Sequence, residues 1–443
     1  MLCLLDCLLC RRFANFSLLV FLTTWLVQPS AFAADLLATG LFSALPGVTF
    51  VEGHQAPFLQ RQPVAAMRVY AFRESAPVPI PFQVDERDRN DRWILDQGTK
   101  QDQESSSGEF ADKAALVIMN RDLGSRGDPA RLPAGATVWG EIRVGAEANP
   151  FGFAYVGVFA HSPPLPSAEH VYARYEPETD RVYAERYALE FRGPFPTHVA
   201  FVDHLGEFGT NTVVGVRTSG DVRFLGGLLQ LHRTDADIRM EPLGYRSGPV
   251  RVIRRGRYWV PLPLGFRTSG RVDVIFYRDF IEGISFLKVK LSPRLVLADG
   301  ELRAYFDFLD LRGARLLVED EPPSDPVNGH MTPAKQALAG RSAHWAALLL
   351  PNGRTVLLIV RLEGVLQQLD PRVYFSDTSG ADSHLGGQPV FGFQFLRLKR
   401  LETGTHRLSV FASVLDSTAV EDVRQAAKIF LSPPEVSASL LKR

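Results

Sequence analysis

The sequence predicts an all-β protein built as two bodies, with a short helix near the C-terminus. Three observations carry that expectation. Apolar and polar residues alternate with a period of two over most of the chain, while helical periodicity is nearly absent. Glycine, asparagine and proline turns punctuate the alternating stretches. A stiff proline-rich run, Ser162-Pro-Pro-Leu-Pro-Ser167, follows a strand pattern and divides the chain. The piece before it, 35–162, has the size of an immunoglobulin-like sandwich. The piece after it, 168–443, holds too many strands for a simple sandwich and suits one very large one.

The N-terminus reads as an export signal. Arg11 and Arg12 precede an apolar stretch from Phe13 to Val27, and Ala31-Phe32-Ala33 fits the small-x-small pattern of a signal-peptidase site. The uninterrupted run Phe16–Val27 is shorter than the ~20 apolar residues of a spanning helix, and Pro29 closes it. An uncleaved anchor is the alternative. Cys3, Cys7 and Cys10 are the three cysteines of the chain, so cleavage after Ala33 leaves a mature protein without thiols. Such a chain, periplasmic or secreted, uses no disulfide and no thiolate chemistry. No later segment is long and apolar enough to cross a bilayer.

Composition narrows the partners. Lys+Arg and Asp+Glu both number 49, a neutral balance that argues against a nucleic-acid binder. Eight of those basic residues are lysine and 41 are arginine. Arginine suits bidentate capture of carboxylate or phosphate, although a GC-rich genome gives the same bias.

The strand patterns run in order. In Thr137–Val144, Val138, Ile142 and Val144 share one face while Thr137, Glu141 and Arg143 take the other. The same reading fits Met67–Phe72, Val78–Val84, Phe151–Phe159, Val182–Phe191, Val222–Leu231, Pro249–Arg255 and Tyr258–Leu264. It continues through Val272–Tyr277, Ser285–Leu291, Leu302–Leu309, Trp345–Leu350, Thr355–Arg361, Val390–Leu398 and His406–Phe411. Turns are expected at Ser219-Gly220-Asp221, Arg255-Gly256-Arg257, Ser269-Gly270, Asp299-Gly300 and Pro351-Asn352-Gly353-Arg354. The last is a hairpin candidate, because Asn-Gly supplies positive φ angles. Thr418-Ala-Val-Glu421 has the form of a capping box opening a helix that ends near Phe430, ahead of Pro433-Pro434. Pro333–Ala339 is a second, shorter helix candidate, and the polar stretch 319–332 before it is a linker or a long surface loop.

The stretch Val78-Pro-Ile-Pro-Phe-Gln-Val-Asp-Glu-Arg-Asp88 resembles a group of exported, largely uncharacterised bacterial proteins. That group carries a P-x-Q-V-D strand, an acidic turn before an apolar strand, and a short D-x-G segment. The matching pieces are Gln83-Val84-Asp85, Phe110-Ala-Asp-Lys-Ala-Ala-Leu-Val-Ile-Met119 and Asp122-Leu-Gly124. The resemblance implies a small N-terminal β-domain joined to a large sandwich similar to the galactose mutarotase-like domain of sugar-active enzymes. Lys113-Ala114-Ala115 replaces the acidic turn of the group, which removes the ligands of a calcium loop there.

Four constellations are chemically suggestive. Asp85, Asp88, Asn90 and Asp91, with Glu86 and Asp96, form the densest acidic cluster; Ca²⁺ takes six to eight such oxygens. Arg87, Arg89 and Arg92 lie between them, so a loop laced with ion pairs is the alternative. His198, Asp203, His204 and Glu207 form a second group, in which His204 with Asp203 or Glu207 can exchange protons in a glycan cleft. His198 and His204, six apart on one strand, would stand ~20 Å apart, so only a turn between them brings both to a metal. Tyr277 with Arg278 has the composition of a lyase base and its carboxylate-neutralising cation, yet neighbours on a strand point to opposite faces. Arg251, Arg255 and Arg257, with Arg246, Arg254, Arg267 and Arg271 around them, offer an anionic partner a site on a solvent-facing strand.

No G-x-S-x-G, P-loop, dinucleotide fingerprint or H-E-x-x-H is present, which removes the common serine hydrolases, nucleotide enzymes and zincins. The best reading is an exported protein that binds or processes a carbohydrate, an acidic glycan above all, without a required cofactor. A non-catalytic cell-envelope binding protein and a calcium-dependent adhesion module are the alternatives.

Overall fold

The computed structural model describes residues 46–98, 106–161, 163–164, 170–191, 195–202, 208–261, 267–289, 293–377 and 388–442. The expected export signal and the greater part of the proline-rich run lie outside them. The described residues form strands β1 Val48–Glu52, β2 Met67–Arg73, β3 Ala76–Pro79, β4 Gln83–Glu86, β5 Ala114–Met119, β6 Ala136–Ala146 and β7 Asn149–Phe159. Next come β8 Ala173–Glu176, β9 Arg181–Ala184, β10 Tyr187–Phe191, β11 Pro196–Val202, β12 Phe208–Phe224 and β13 Leu229–Thr234. They are followed by β14 Arg239–Ser247, β15 Val252–Pro261, β16 Arg267–Phe276, β17 Phe280–Val289, helix α1 Pro293–Val296, β18 Leu297–Phe308 and β19 Arg315–Val318. The chain ends with α2 Pro333–Leu338, β20 Trp345–Leu349, β21 Thr355–Leu362, β22 Asp370–Ser376, β23 Val390–Leu396, β24 Gly404–Leu415, α3 Val420–Leu431 and β25 Val436–Leu440. The protein is all-β, a small sandwich followed by a large one. Among the described residues no helix is long and apolar enough to cross a membrane.

Four antiparallel sheets stack in layers. Their orders are β25-β6-β7-β2-β3, β1-β5-β4, β14-β15-β16-β17-β24-β21-β20-β19, and β22-β23-β18-β12-β11-β10-β9-β8 with β13 beside β12. The strand β5 shows why its sequence is one apolar run rather than an alternation. Ala114, Leu116 and Ile118 pack with Ile142 and Val156 of the five-stranded sheet. Ala115, Val117 and Met119 point the other way, onto Ile253, Ile275 and Leu357 of the eight-stranded sheet. A strand buried on both faces has no position left for a polar side chain. The eight- and nine-stranded sheets then enclose the largest core, to which Phe276 and Leu358 contribute from one sheet and Phe308 and Phe391 from the other. Each such side chain removed from water stabilises by about 1.5–3 kcal/mol.

The C-terminus ties the small sandwich to the large one. Val423, Ala426, Ala427 and Phe430 form the buried stripe of α3, and the Phe430 ring meets Phe280 at 5.1 Å and Phe411 at 5.4 Å. β25 then pairs with β6, Val436 opposite Val144, so the expected second body, 168–443, gives its last strand to the first. The stretch 319–332 is a loop pinned by Lys335, which is fully buried and donates to Asn328 Oδ1 at 2.9 Å and the His330 carbonyl at 2.8 Å while pairing with Asp377.

Several expected boundaries move. Ser219–Asp221, Arg255–Arg257, Ser269-Gly270 and Asp299-Gly300 lie inside strands β12, β15, β16 and β18 rather than in turns. Their glycines serve passage, not reversal: a Cβ on Gly270 would stand 2.3 Å from the Tyr258 hydroxyl, and one on Gly256 1.8 Å from Met240 Cε. Conversely, Val222–Leu231 contains a reversal, where Gly226 and Gly227 take φ of 71° and 97°. The Pro351–Arg354 hairpin forms as expected, with Gly353 at φ 82°. α3 begins at Val420 without the Thr418–Glu421 capping box; Ser417 Oγ instead accepts from the Ala419 N–H at 3.1 Å and donates to Asp422 at 2.6 Å.

Candidate functional site

The residues expected to bind an anion or a cation meet each other instead. Arg251, immediately before β15, lies under the three-stranded sheet with no exposed surface. Its Nε donates to Asp85 Oδ2 at 2.9 Å and its Nη1 to the Tyr277 hydroxyl at 2.9 Å. Phe50 and Trp93 flank the guanidinium at 5.0 and 4.3 Å. Asp85 also accepts from Arg246 Nε at 2.6 Å and from the Gln83 amide at 2.9 and 3.0 Å. Burial alone would raise the Asp85 carboxyl; Arg251 and Arg246 override it and hold the group below its ordinary value. Arg255, 3% exposed, forms a two-pronged pair with Asp273 at 2.8 Å, and Arg254 another with Asp180. The expected solvent-facing strand is therefore an interior one, and of the three expected anion ligands Arg257 alone is exposed.

The acidic cluster does not converge. Asp88 is spent on its own turn, its Oδ1 accepting from the Asn90 and Arg92 N–H groups at 2.8 and 2.9 Å and its Oδ2 from Arg92 Nε at 2.5 Å. Asn90 and Asp91 face solvent, Asp91 at φ 59°. Among the described residues no group of three His, Cys, Asp or Glu could hold a metal ion.

Tyr277 is fully buried and stacks on Phe280 at 4.1 Å; burial pushes its hydroxyl above the ordinary tyrosine value, against the pull of Arg251. The hydroxyl is closed off from solvent and accepts from Arg251. Arg278 does not point outward as expected: it is buried at the β16–β17 turn between Glu185 at 2.5 Å and Asp279 at 2.9 Å. His198, at φ 53° in the irregular β11, stands 3.0 Å from Glu190 on the neighbouring strand. Asp203, His204 and Glu207 lie outside the described residues.

A different cluster stands on the outer face of the nine-stranded sheet, which sequence reasoning missed. In β18 the odd-numbered residues Glu301, Arg303, Tyr305 and Asp307 leave the core side to Ala304, Phe306 and Phe308. Gly392 on β23 lies between Tyr305 and Tyr374, directly opposite both. Lacking a side chain, it lets the two rings meet over it at 5.2 Å and 56°. A Cβ there would stand 2.2 Å from the Ala304 carbonyl and 2.6 Å from Tyr305 Cβ, so no other residue fits. Arg303 lies 5.2 Å from the Tyr374 ring and pairs with Glu301, which also receives the Gln394 amide.

On the other flank Arg217 bridges two carboxylates, its Nε donating to Asp307 at 2.8 Å and its Nη1 to Asp235 at 3.1 Å. Asp307 is 2% exposed and its Oδ1 accepts no hydrogen bond. Burial raises its carboxyl, Arg217 pulling it down and Asp235 adding to the rise. Further along, His232 Nδ1 contacts Asp221 at 2.7 Å. The face thus sets aromatic rings beside planar donors and acceptors, the combination that grips a sugar by its C–H face and its hydroxyl edge at once.

No protein-family model matches the chain, and no curated protein does. Among solved structures it is similar to an alpha-mannosidase from Enterococcus faecalis V583, with a TM-score of 0.49 at 9% identity over 90% of this chain and 45% of that one. The alpha-N-acetylgalactosaminidase NagBb from Bifidobacterium bifidum, in complex with GalNAc, follows with a TM-score of 0.35 at 14% identity, covering 58% of this chain and 37% of that one. The Slr1438 protein from Synechocystis sp. PCC 6803 scores 0.35 at 10% identity, over 58% of this chain and 98% of its own. The chain spans less than half the length of the mannosidase.

Proposed function

We propose that this is an exported carbohydrate-binding protein whose sugar ligand lies across Tyr305, Tyr374 and the Arg217–Asp307 pair. The observation that supports it is the tyrosine pair closed over Gly392, its Tyr374 ring half-buried, beside the partly exposed Arg217 that Asp307 and Asp235 hold in place. An aromatic face gives a sugar ring apolar contact, and an arginine held by carboxylates presents its remaining N–H groups to adjacent hydroxyls. The reading is recognition rather than turnover, because each of Asp307, Asp235 and Glu301 is already held by an arginine.

Export belongs to the same proposal. N-terminal sequencing of protein recovered from the periplasm or medium should begin at Ala34. A glycan array probed with the form beginning there should give retention that Tyr374→Ala reduces at least tenfold, with an unchanged melting temperature. An array without a single retained glycan, or retention indifferent to Tyr374→Ala and Arg217→Gln, defeats the proposal.

A further inference from the structure

The eight-stranded sheet has an outer face that the three-stranded sheet and α3 cover only in part. Beyond that cover, one cross-strand row reads Arg257, Arg271, Phe286, Arg407 on β15, β16, β17 and β24, each directly opposite the next. The adjoining row places Arg361 on β21 opposite Ser409 on β24. Lys288, two residues beyond Phe286 on the same face of β17, is exposed. Strands lie ~4.8 Å apart, so the four-strand row spans roughly 14 Å.

Like charges directly opposite on neighbouring strands destabilise a sheet, and Arg257 faces Arg271. The acidic groups on this face do not absorb the excess. Asp273 is taken by Arg255 and reaches Arg271 only at 3.9 Å, Glu282 meets Arg361 only at 3.6 Å, Glu363 reaches Arg361 at 3.5 Å, and Glu241 lies opposite Arg257 at the sheet edge. Four donor atoms, the Nε of Arg271, Arg361 and Arg407 and Ser409 Oγ, are buried and have no hydrogen-bond partner. A buried donor left without an acceptor costs about 1–3 kcal/mol. Because these four are shut off from solvent, an outside carboxylate meets the partly exposed guanidinium ends of Arg271, Arg361 and Arg407. Arg271 lies 4.7 Å from the Phe286 ring, and Trp259 stands half-buried two residues from Arg257 on the same strand face. Cations at strand spacing, interleaved with aromatic rings, suit a linear chain of sugar rings with one carboxylate per ring better than they suit a flat headgroup surface.

We infer that this row is a binding site for an acidic polysaccharide of the polyuronate type, on the sheet opposite the tyrosine face and independent of it. The carboxylates would pair with Arg271, Arg407 and Arg361, and the ring faces would rest on Phe286 and Trp259. The test is affinity electrophoresis of the full mature protein in gels holding polygalacturonate, with neutral dextran and phosphatidylglycerol vesicles as separate arms. Polygalacturonate should retard the protein, less so at higher salt. Arg271→Gln with Arg407→Gln should weaken that binding at least tenfold at an unchanged melting temperature, while Tyr374→Ala leaves it intact. Should the double variant fail to fold, the exposed Glu363→Gln decides: removing its charge should tighten binding. Equal retardation by dextran, binding to vesicles but not polygalacturonate, indifference to the arginine variants, or no tightening in Glu363→Gln overturns the inference.

Discussion

Asp85 and Arg251 stand 166 positions apart in the chain and meet at 2.9 Å with no exposed surface on either side chain. One belongs to the three-stranded sheet and the other immediately precedes β15 of the eight-stranded sheet, so this ion pair bolts the two sandwiches together. An ion pair removed from water holds best when its remaining lone pairs and protons are satisfied. Here Gln83, Arg246 and Tyr277 satisfy most of them, and Arg251 Nη2 alone of the guanidinium nitrogens has no acceptor.

Arg251→Met should therefore cost up to about 3–5 kcal/mol, since it leaves the buried carboxylate with Arg246 as its one cation and Asp85 Oδ2 with the Gln83 amide alone. The denaturant midpoint at constant slope measures it. Replacing both partners, Asp85→Leu with Arg251→Met, should recover most of the loss, because the uncompensated charge goes with its partner. A single variant within about 1 kcal/mol of the parent would remove the bolt from the account.

Acid should loosen the same seam. Arg251 and Arg246, overriding burial, put the folded-state value of Asp85 below the unfolded one of ~3.9. The folded protein then binds the proton more weakly than the unfolded chain. The stabilisation is complete above the unfolded value and is lost as pH falls through the folded one. Urea midpoints taken from about pH 5 down to about pH 2 should fall more steeply for the parent than for Asp85→Asn, which carries no such proton.

The sequence made the class of fold legible, and some of the strand positions with it, because alternation is a local property of half-buried strands; it left β1, β8, β14, β19, β22 and β25 unmarked. Two further things were unreadable in it. Arg251 and Arg255 share a face with Ile253, as a solvent-facing strand would have it, but a third sheet covers that face and turns surface cations into interior ones. Which face is covered depends on β5, more than a hundred residues earlier in the chain. The tyrosine face was half legible. Arg303, Tyr305 and Asp307 alternate with Ala304, Phe306 and Phe308, which announces an outward row. Its partners, Arg217 from β12 and Tyr374 from β22, arrive through strand order, on which local pattern is silent.

Gly392→Ala tests the tyrosine pair directly. The new methyl group would meet the Ala304 carbonyl and Tyr305, both fixed by strand pairing. Overpacking of this kind costs about 1–3 kcal/mol. The variant should melt lower and, once folded, retain less glycan, because Tyr305 must move from Tyr374. Full glycan retention in a folded Gly392→Ala protein would mean that ring geometry is irrelevant to binding.

Asp307 separates a ligand role from a structural one by the sign of its effect. Burial lifts its carboxyl above the unfolded value of ~3.9, so the folded state binds that proton more tightly than the unfolded chain. Stability contributed by the group is therefore greatest in acid and declines as pH rises through the unfolded and then the folded value. At neutral pH the charged form is a burden that Arg217 only partly relieves. Asp307→Asn keeps an acceptor for Arg217 and discards the charge, so its melting temperature at neutral pH should equal or exceed that of the parent. The advantage should shrink as the pH approaches the unfolded value. Glycan retention should fall in the same variant, since the charge that fixes Arg217 toward the sugar is lost. A marked drop in melting temperature would instead assign Asp307 to the fold alone, as the anchor of Arg217.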